Sequence, residues 1–230
     1  MGKPFSGFHS NTLRYLATLK RNNNREWFQA NRDRYEAEFL DPALTFIEAM
    51  ENPLQKILPC LQAVPKKTGG SLMRIYRDTR FGKDKTPYKT NIGIQFRHIT
   101  GRDVHAPGCY VHIEPENVFL GVGVWHPESK SLTKIRRSID ADPAGWKRAS
   151  RGKALCKRFS LAGESLKRPP SGYAADHPLI DDLKRKDFIG VAEVATDTIF
   201  ERNFMDECLD TFRTARPFMR FLCQALEVPF

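Results

Sequence analysis

Apolar positions in the first quarter of the chain recur with the period of an α-helix. Leu13, Leu16 and Ala17 follow Ser10 and Asn11 at spacings of three to four residues. Because Ser and Asn are favoured helix N-caps, this pattern predicts a short amphipathic helix. Two more helices are predicted, one capped by Asn24 and carrying Trp27, Phe28, Tyr35 and Phe39, and one capped by Asp41 and carrying Leu44, Phe46, Ile47 and Met50.

The period changes after the flexible segment 65–70. Apolar and polar residues then alternate, which is typical of half-buried strands. Strands are predicted at residues 72–76, 92–96, 109–114 and 118–125, with a turn at residues 115–117 between the last two. The short connections predict an antiparallel meander.

Helical spacing returns from residue 128, and Asp142-Pro143 predicts the start of a further helix. Asp176 with Pro178 predicts another through Lys186, residues 188–194 alternate as a last strand, and Pro217 breaks a helical segment that begins near Asp197. We therefore expect one α+β domain over residues 1–230, with a central, mostly antiparallel sheet and helices from the second half covering one face. It comprises a helical segment (1–63), a basic, sheet-containing middle (64–190) and a helical C-terminal segment (191–230).

Composition narrows the class of protein. Apolar residues make up 40% of the chain, 16 of them Phe, as in folded globular proteins. The five cysteines are odd in number and lack C-x-x-C spacing, which favours reduced thiols. No apolar run approaches the roughly 18 residues of a membrane span, and none resembles a secretory signal. These features predict a cytoplasmic protein without a membrane partner; the oligomeric state stays open.

The net charge of +10 is unevenly distributed. Residues 1–63 hold 8 cations and 7 carboxylates, residues 64–190 hold 25 and 13, and residues 191–230 hold 4 and 7. The middle of the chain is therefore the basic part. This asymmetry indicates an anionic partner, which can be a small phosphate ester, a nucleic acid or an acidic protein.

The densest group of charges lies between Arg74 and Lys89, where six cations stand against two carboxylates. Three are arginines, whose planar fork binds phosphate or carboxylate groups. One hypothesis is a ligand pocket in which Asp78 orients the arginines. The other is a structural salt-bridge network, with Arg74 and Arg77 paired to acids such as Glu26 or Asp33. The candidate ligand-binding residues are Arg74, Arg77, Asp78, Arg80, Lys85, Tyr88 and Lys89.

The sequence leaves open whether this pocket is catalytic. Tyr88 can act as a general acid if neighbouring cations lower its pKa, and Lys85 as a base under the same influence, so hydrolase or transferase chemistry on phosphate esters stays an alternative. No zinc-protease, nucleophile-elbow or nucleotide-binding motif is present, and we predict no metal and no cofactor. The secondary candidates are His112 in the sheet and Lys167, Arg168, Tyr173 and His177 on a segment predicted to close over the pocket.

The alternative to a small-ligand pocket is a different class of function, nucleic-acid binding. Residues 147–158 carry six cations and no carboxylate, and the basic region extends back to Lys130. Binding through this region predicts an affinity that falls steeply with salt. The simpler interpretation of the segment is a solvated helix face.

The central motif also resembles a known family. Its spacing is Arg74-x-x-Arg77-Asp78-x-Arg80-Phe81-x-x-Asp84-Lys85-x-x-Tyr88. Together with segments 24–28, 110–113, 167–170, 176–178 and 183–187, it is similar to the domain of unknown function family DUF2461, with Gly82 where serine is common. The resemblance implies a single domain over nearly the full length and marks these motif residues. It implies no chemistry for them.

Overall fold

The computed structural model describes residues 5–80, 82–100 and 106–230. Its N-terminal part is helical, as predicted. The elements are α1 (Ser10–Arg21), α2 (Arg25–Ala30), α3 (Arg32–Tyr35), a π-helical segment (Glu36–Leu40) and α4 (Asp41–Ile57).

Two caps in this part had different outcomes. The side chain of Asn24 accepts a hydrogen bond from the Trp27 N–H at 2.9 Å, so the predicted cap of α2 is confirmed. Asp41 is not a cap, because Leu40 before it is already helical and the π-helical segment continues directly into α4. Phe39 and Phe46 are buried on either side of this position, and such packing stabilises a helix through a residue where the sequence indicated a new start.

Within the described residues, six strands form an antiparallel sheet in the order β1-β2-β3-β4-β6-β5. They are β1 (Leu61–Gln62), β2 (Ile92–His98), β3 (Gly108–Glu114), β4 (Asn117–Val124), β5 (Ser160–Ala162) and β6 (Phe188–Val194). The predicted meander is β2-β3-β4, and the α+β class is confirmed. The short strands β1 and β5 were missed, because two or three residues are too few for a visible alternation.

Residues 72–76 do not form the predicted strand. They make only two isolated bridges, Leu72 to Ile94 and Tyr76 to Tyr88. The segment leaves the edge of β2 after the first bridge and pairs with the central motif at the second. Its alternating pattern reflects burial of Leu72 and Ile75 and not a continuous ladder.

The remaining helices are α5 (Ser129–Ala141), α6 (Pro143–Arg151), α7 (Lys153–Arg158), α8 (Ile180–Leu183), α9 (Phe204–Thr214) and α10 (Arg216–Ala225), with a 3-10 turn at Thr196–Phe200. Asp142 caps α6 as predicted, accepting from the Gly145 N–H at 2.8 Å. The break at Pro217 is also confirmed, since that residue lies in the first turn of α10. The helix predicted from Asp176 is wrong in length and covers only four residues.

One face of the sheet is buried under helices from both ends of the chain. Helix α4 contacts β1 and β2, and α9 and α10 contact β4. Residues such as Phe96, Val111 and Leu120 are fully buried on that face, within one continuous hydrophobic cluster. The single-domain organisation stays a prediction. In the described ranges, no helix combines the length and apolar character needed to cross a bilayer.

Candidate anion-binding site

The central motif folds as an irregular hairpin, described over residues 74–80 and 82–91. The Arg77 N–H donates to the Pro87 carbonyl at 2.9 Å, and the Lys89 N–H donates to the Ile75 carbonyl at 2.7 Å. These bonds pair residues 75–77 antiparallel with residues 87–89. The pairing brings Arg77 beside Tyr88, although eleven positions separate them in sequence.

Both carboxylates of the hairpin are occupied by arginines. Asp78 accepts from Arg80 Nε at 3.0 Å and Nη2 at 2.8 Å, and these hydrogen bonds hold the pKa of Asp78 at about 2. Arg77 Nη1 lies 2.7 Å from Asp84 Oδ2. Hydrogen bonds from the Thr86 N–H and hydroxyl, followed by the Arg77 charge, lower the pKa of Asp84. The two ion pairs are therefore local to the hairpin, and among the described residues neither Arg74 nor Arg77 forms the predicted ion pair with Glu26 or Asp33.

The turn between α1 and α2 fixes the hairpin to the helical segment. Asn23 Nδ2 donates to the Tyr88 carbonyl at 2.9 Å, and Asn23 Oδ1 accepts from the Tyr88 N–H at 3.1 Å. The Tyr88 ring stacks on Phe28 of α2, with centroids 4.1 Å apart and an angle of 17° between the planes. One asparagine and one aromatic pair thus set the distance between α2 and the hairpin.

An open cleft of about 690 Å³ lies between these two elements. Its lining residues are Asn23, Asn24, Arg25, Gln29, Tyr76, Arg77, Thr79, Lys85, Pro87 and Tyr88. In the described part of the chain, the lining has three cations (Arg25, Arg77 and Lys85) and no carboxylate. Lys85 Nζ is held by the Thr79 carbonyl at 2.8 Å, and Tyr76 stands at the rim with half of its surface exposed.

Only part of the predicted set lines this cleft. Arg77, Lys85 and Tyr88 do, whereas the other four candidates are not in its lining: Arg74, Asp78, Arg80 and Lys89. Asp78 pairs with Arg80 and makes no hydrogen bond to Arg77 in the described residues. Its predicted role as the group that orients all three arginines is therefore reduced to one of them.

Lys89 lies in a positively charged environment beside the cleft. Burial, followed by the charges of Arg74 and Arg77, lowers the pKa of Lys89. Among the residues that the structure describes, no carboxylate forms an ion pair with Lys89 or Arg74. The hairpin therefore retains an excess of positive charge after its two internal ion pairs are counted.

Tyr88 does not match its predicted role as a general acid. Its side chain is 2% exposed, and burial, followed by the nearby Tyr76, raises the pKa of Tyr88. The general-acid hypothesis required the opposite direction. Tyr88 is a packing residue whose backbone and ring position the cleft.

Sequence reasoning missed the contribution of α2 to the cleft. Arg25 and Gln29 are four residues apart and lie on the same face of α2, while Phe28 turns into the core. Asn23 and Asn24 precede them. The usable signal was the cap at Asn24, because it marks where α2 begins and so predicts that residues four apart, such as Arg25 and Gln29, share a face. It does not indicate which part of the chain that face contacts.

His112 belongs to a different cluster on the half-buried face of the sheet. Its Nδ1 lies 3.2 Å from the Tyr110 hydroxyl and its Nε2 lies 3.6 Å from Glu114 Oε2. The ring stacks on Phe119 with centroids 4.5 Å apart. Burial lowers the pKa of His112, and Glu114 opposes this in part.

A pH dependence of stability follows from His112. Because its pKa in the folded protein is below the usual value near 6.5, the unfolded chain binds the proton more readily, and stability falls as the pH drops through that window. We expect His112→Gln to flatten the decrease in Tm between about pH 7.5 and about pH 5.5, measured by thermal denaturation. An unchanged slope in the variant would show that other groups produce the dependence.

The other secondary candidates lie in the loop after β5, where His177 contacts α5. His177 Nε2 lies 3.0 Å from Asp140 Oδ1, and the rings of Tyr173 and His177 are 6.1 Å apart. Lys167 and Arg168 are exposed. None of these four residues lines the cleft, so the structure does not bring the predicted closing segment to it.

One buried group has the composition of a metal site. Donor atoms of Cys60, His98 and Cys223 all lie within 4.8 Å of one another. However, His98 Nδ1 accepts a hydrogen bond from the Thr100 N–H at 3.2 Å, and His98 Nε2 donates one to the Pro229 carbonyl at 2.8 Å. Both ring nitrogens are engaged by protein groups, so a metal would have to displace one of these hydrogen bonds.

The basic middle of the chain carries less uncompensated charge than its sequence indicates. Lys134 pairs with Glu227, Arg151 with Asp182 and Arg158 with Glu207. Arg136 donates to the carbonyls of Leu183 and Arg185. These contacts use cations that the nucleic-acid hypothesis requires for phosphate binding.

Comparison with known proteins adds the family and no further relatives. A family model described as "Conserved hypothetical protein (DUF2461)" matches residues 11–221. No curated protein and no solved structure matches the chain. The match includes α2, the whole hairpin and the sheet.

Proposed function

The chain belongs to the DUF2461 family of conserved hypothetical proteins. Because that description names no activity, we propose a function from the geometry of the cleft. The protein binds a small ligand that carries a phosphate or carboxylate group. The observation that supports this most directly is a cleft of about 690 Å³ lined, among the described residues, by three cations and no carboxylate. A volume of this size suits a metabolite.

The cations keep donors for a ligand despite their present contacts. Arg77 uses Nη1 for Asp84 and approaches the Tyr88 carbonyl with Nη2 at 3.5 Å, and each of these nitrogens carries a second N–H. Lys85 has three N–H groups, of which Thr79 accepts one. Arg25 has no ion-pair partner in the described chain and is exposed. An anion between α2 and the hairpin would offset the repulsion among these charges.

The lining favours binding over hydrolysis. Among the described residues it holds no histidine, cysteine or carboxylate, and Lys85, the candidate base, donates to the Thr79 carbonyl. The hydroxyl of Tyr76 and the amides of Asn24 and Gln29 can recognise the polar part of a ligand, and the exposed Tyr76 ring offers it a flat apolar surface.

We also propose a reducing compartment such as the cytoplasm. All five cysteines are free thiols, and four of them are buried. Thiols of this kind persist in reducing environments.

A pair of neighbouring lysines provides a test of the cleft. A thermal-shift screen of phosphorylated metabolites and dicarboxylates should identify a ligand, and titration calorimetry then measures its Kd. We expect Lys85→Gln to weaken binding about 5-fold, since one charged hydrogen bond at an open site contributes about 1 kcal/mol. Lys83→Gln removes the same charge two residues away, outside the lining, and should change the Kd little.

Two outcomes would contradict the proposal. A screen in which no anion raises Tm would remove the ligand class. Equal losses in the Lys83 and Lys85 variants would show that general attraction, and not this cleft, binds the anion.

A further inference from the structure

A second cleft of about 790 Å³ lies between α6 and α10. Its lining residues are Asp142, Gly145, Arg148, Ala149, Arg213, Arg216, Pro217, Arg220, Phe221 and Gln224. Their spacings of three and four residues place them on one face of α6 and on one continuous face through the end of α9 and α10. The two helices thus present facing walls.

The walls are rich in arginine. Arg148 lies on α6, and Arg213, Arg216 and Arg220 lie on the other wall. Within residues 5–80, 82–100 and 106–230, only Arg213 has an ion pair, with Asp210. The single carboxylate of the lining, Asp142, accepts from the Gly145 N–H and serves as the cap of α6.

Two of these arginines contact the same aromatic ring. The guanidinium carbons of Arg216 and Arg220 lie 6.0 and 4.8 Å from the centre of the Phe230 ring. They are one helical turn apart on α10, and Arg216 Nε is buried with no hydrogen-bond acceptor in the described structure. Like charges one helical turn apart repel, and an anion in the cleft would offset that repulsion.

We propose that this arginine cleft, defined by Arg148, Arg213, Arg216 and Arg220, binds a small ligand carrying two or more phosphate groups. Each guanidinium presents a fork that fits a phosphate in bidentate fashion. Arginines from facing walls can engage successive phosphates of one ligand, which a single phosphate cannot satisfy. Phe221, Pro217 and Ala149 form an apolar wall for the rest of the ligand.

The test is calorimetric titration with pyrophosphate at fixed ionic strength, with orthophosphate as the comparison. We expect saturable binding of pyrophosphate, tighter than that of orthophosphate. The double variant Arg216→Gln/Arg220→Gln should weaken it at least about 10-fold, because two charged contacts are lost. Arg148→Gln should weaken it about 5-fold; this side chain is exposed and makes no hydrogen bond among the described residues, so its loss leaves the core unchanged.

Matched variants separate this site from the first cleft. Arg202→Gln removes an exposed arginine just before α9, outside the lining, and should leave the Kd unchanged. Arg77→Gln alters the first cleft and should leave intact the part of pyrophosphate binding that depends on Arg216 and Arg220. Unfolding temperatures measured without ligand show whether the double variant is folded; if it is not, Arg148→Gln decides.

Three results would overturn the inference. They are equal affinity in the parent protein and the Arg148 variant, loss of pyrophosphate binding in the Arg77 variant, and an oligonucleotide that binds through Arg216 and Arg220 when pyrophosphate does not. The last result would assign the cleft to nucleic acid.

Discussion

Replacing Asp187 by alanine is expected to lower the free energy of unfolding by about 3 kcal/mol, because two backbone donors lose their acceptor at once. The side chain of Asp187 is 1% exposed and directly precedes β6. Its Oδ1 accepts from the His126 N–H at 2.7 Å and its Oδ2 from the Glu164 N–H at 2.8 Å. Urea denaturation measures the change.

The two chain segments that donate to Asp187 have backbone shapes that bring them close to its side chain. His126 follows β4 with a positive φ of 48°, and Gly163 follows β5 with a φ of 100°. A side-chain carbon on Gly163 would lie 2.4 Å from Cβ of Asp187. The carboxylate therefore joins the chain segments that follow β4 and β5, the two strands on either side of β6, and both segments are shaped to meet it.

The controls for this prediction are Asp187→Asn and Asp181→Ala. Asparagine keeps one acceptor and should lose roughly half of the effect. Asp181 is 93% exposed and pairs with Lys184 at 4.0 Å, so its replacement should stay within about 0.5 kcal/mol. A loss below about 1 kcal/mol in Asp187→Ala would mean that water reaches the two N–H groups and replaces the carboxylate.

Arg77→Gln is expected to weaken anion binding in the cleft beside α2 by about 30-fold, equivalent to about 2 kcal/mol. Arg77 is the lining cation whose guanidinium is oriented from two sides, by Asp84 and by the Tyr88 carbonyl. An oriented fork loses less side-chain entropy on binding than a flexible lysine does. Calorimetric titration with the ligand identified in the screen measures the change in Kd.

Two further variants make this result specific. Arg77→Lys keeps the charge without the fork and should recover only part of the affinity. Arg74→Gln removes a charge from the same hairpin outside the lining and should have a small effect. If Arg74→Gln and Arg77→Gln weaken binding equally, the hairpin attracts anions by its overall charge and the cleft is not the binding site.

The Asp187 and Arg77 predictions also separate stability from binding. Asp187 lines neither cleft, so its loss should destabilise the fold without changing the Kd of the folded protein. The side chains of the Arg77–Asp84 pair are 32% and 52% exposed, so its loss should affect stability little. A variant of either residue that changes both the free energy of unfolding and the Kd would contradict this separation.

Local signals predicted the elements that depend on neighbours in sequence. The cap at Asn24, the cap at Asp142 and the alternation of β2, β3 and β4 all involve residues within a few positions of one another. The failures fall where tertiary contacts override such signals. Asp41 lies inside continuous helix, and residues 72–76 leave the sheet to pair with the hairpin.

Charge counts along the sequence predicted the basic central motif but not the arginine cleft. The central motif was visible because its cations are adjacent in sequence. The arginines of α9 and α10 belong to a segment with an excess of carboxylates, and only their spacing places Arg213, Arg216 and Arg220 on one face. Their meeting with Arg148 of α6 depends on helix packing, which no local pattern predicts.

The sequence alone therefore determined the α+β class, most of the helices and strands, and the family to which the chain belongs, because caps, periodicity and motif spacing act over short distances. Tertiary structure alone decided which charges remain available. It paired Arg80 with Asp78, placed Arg77 and Lys85 opposite Arg25, and buried Tyr88 against Phe28. Ion pairs and clefts form between groups that are close in space, and that proximity is set by the packing of the whole chain.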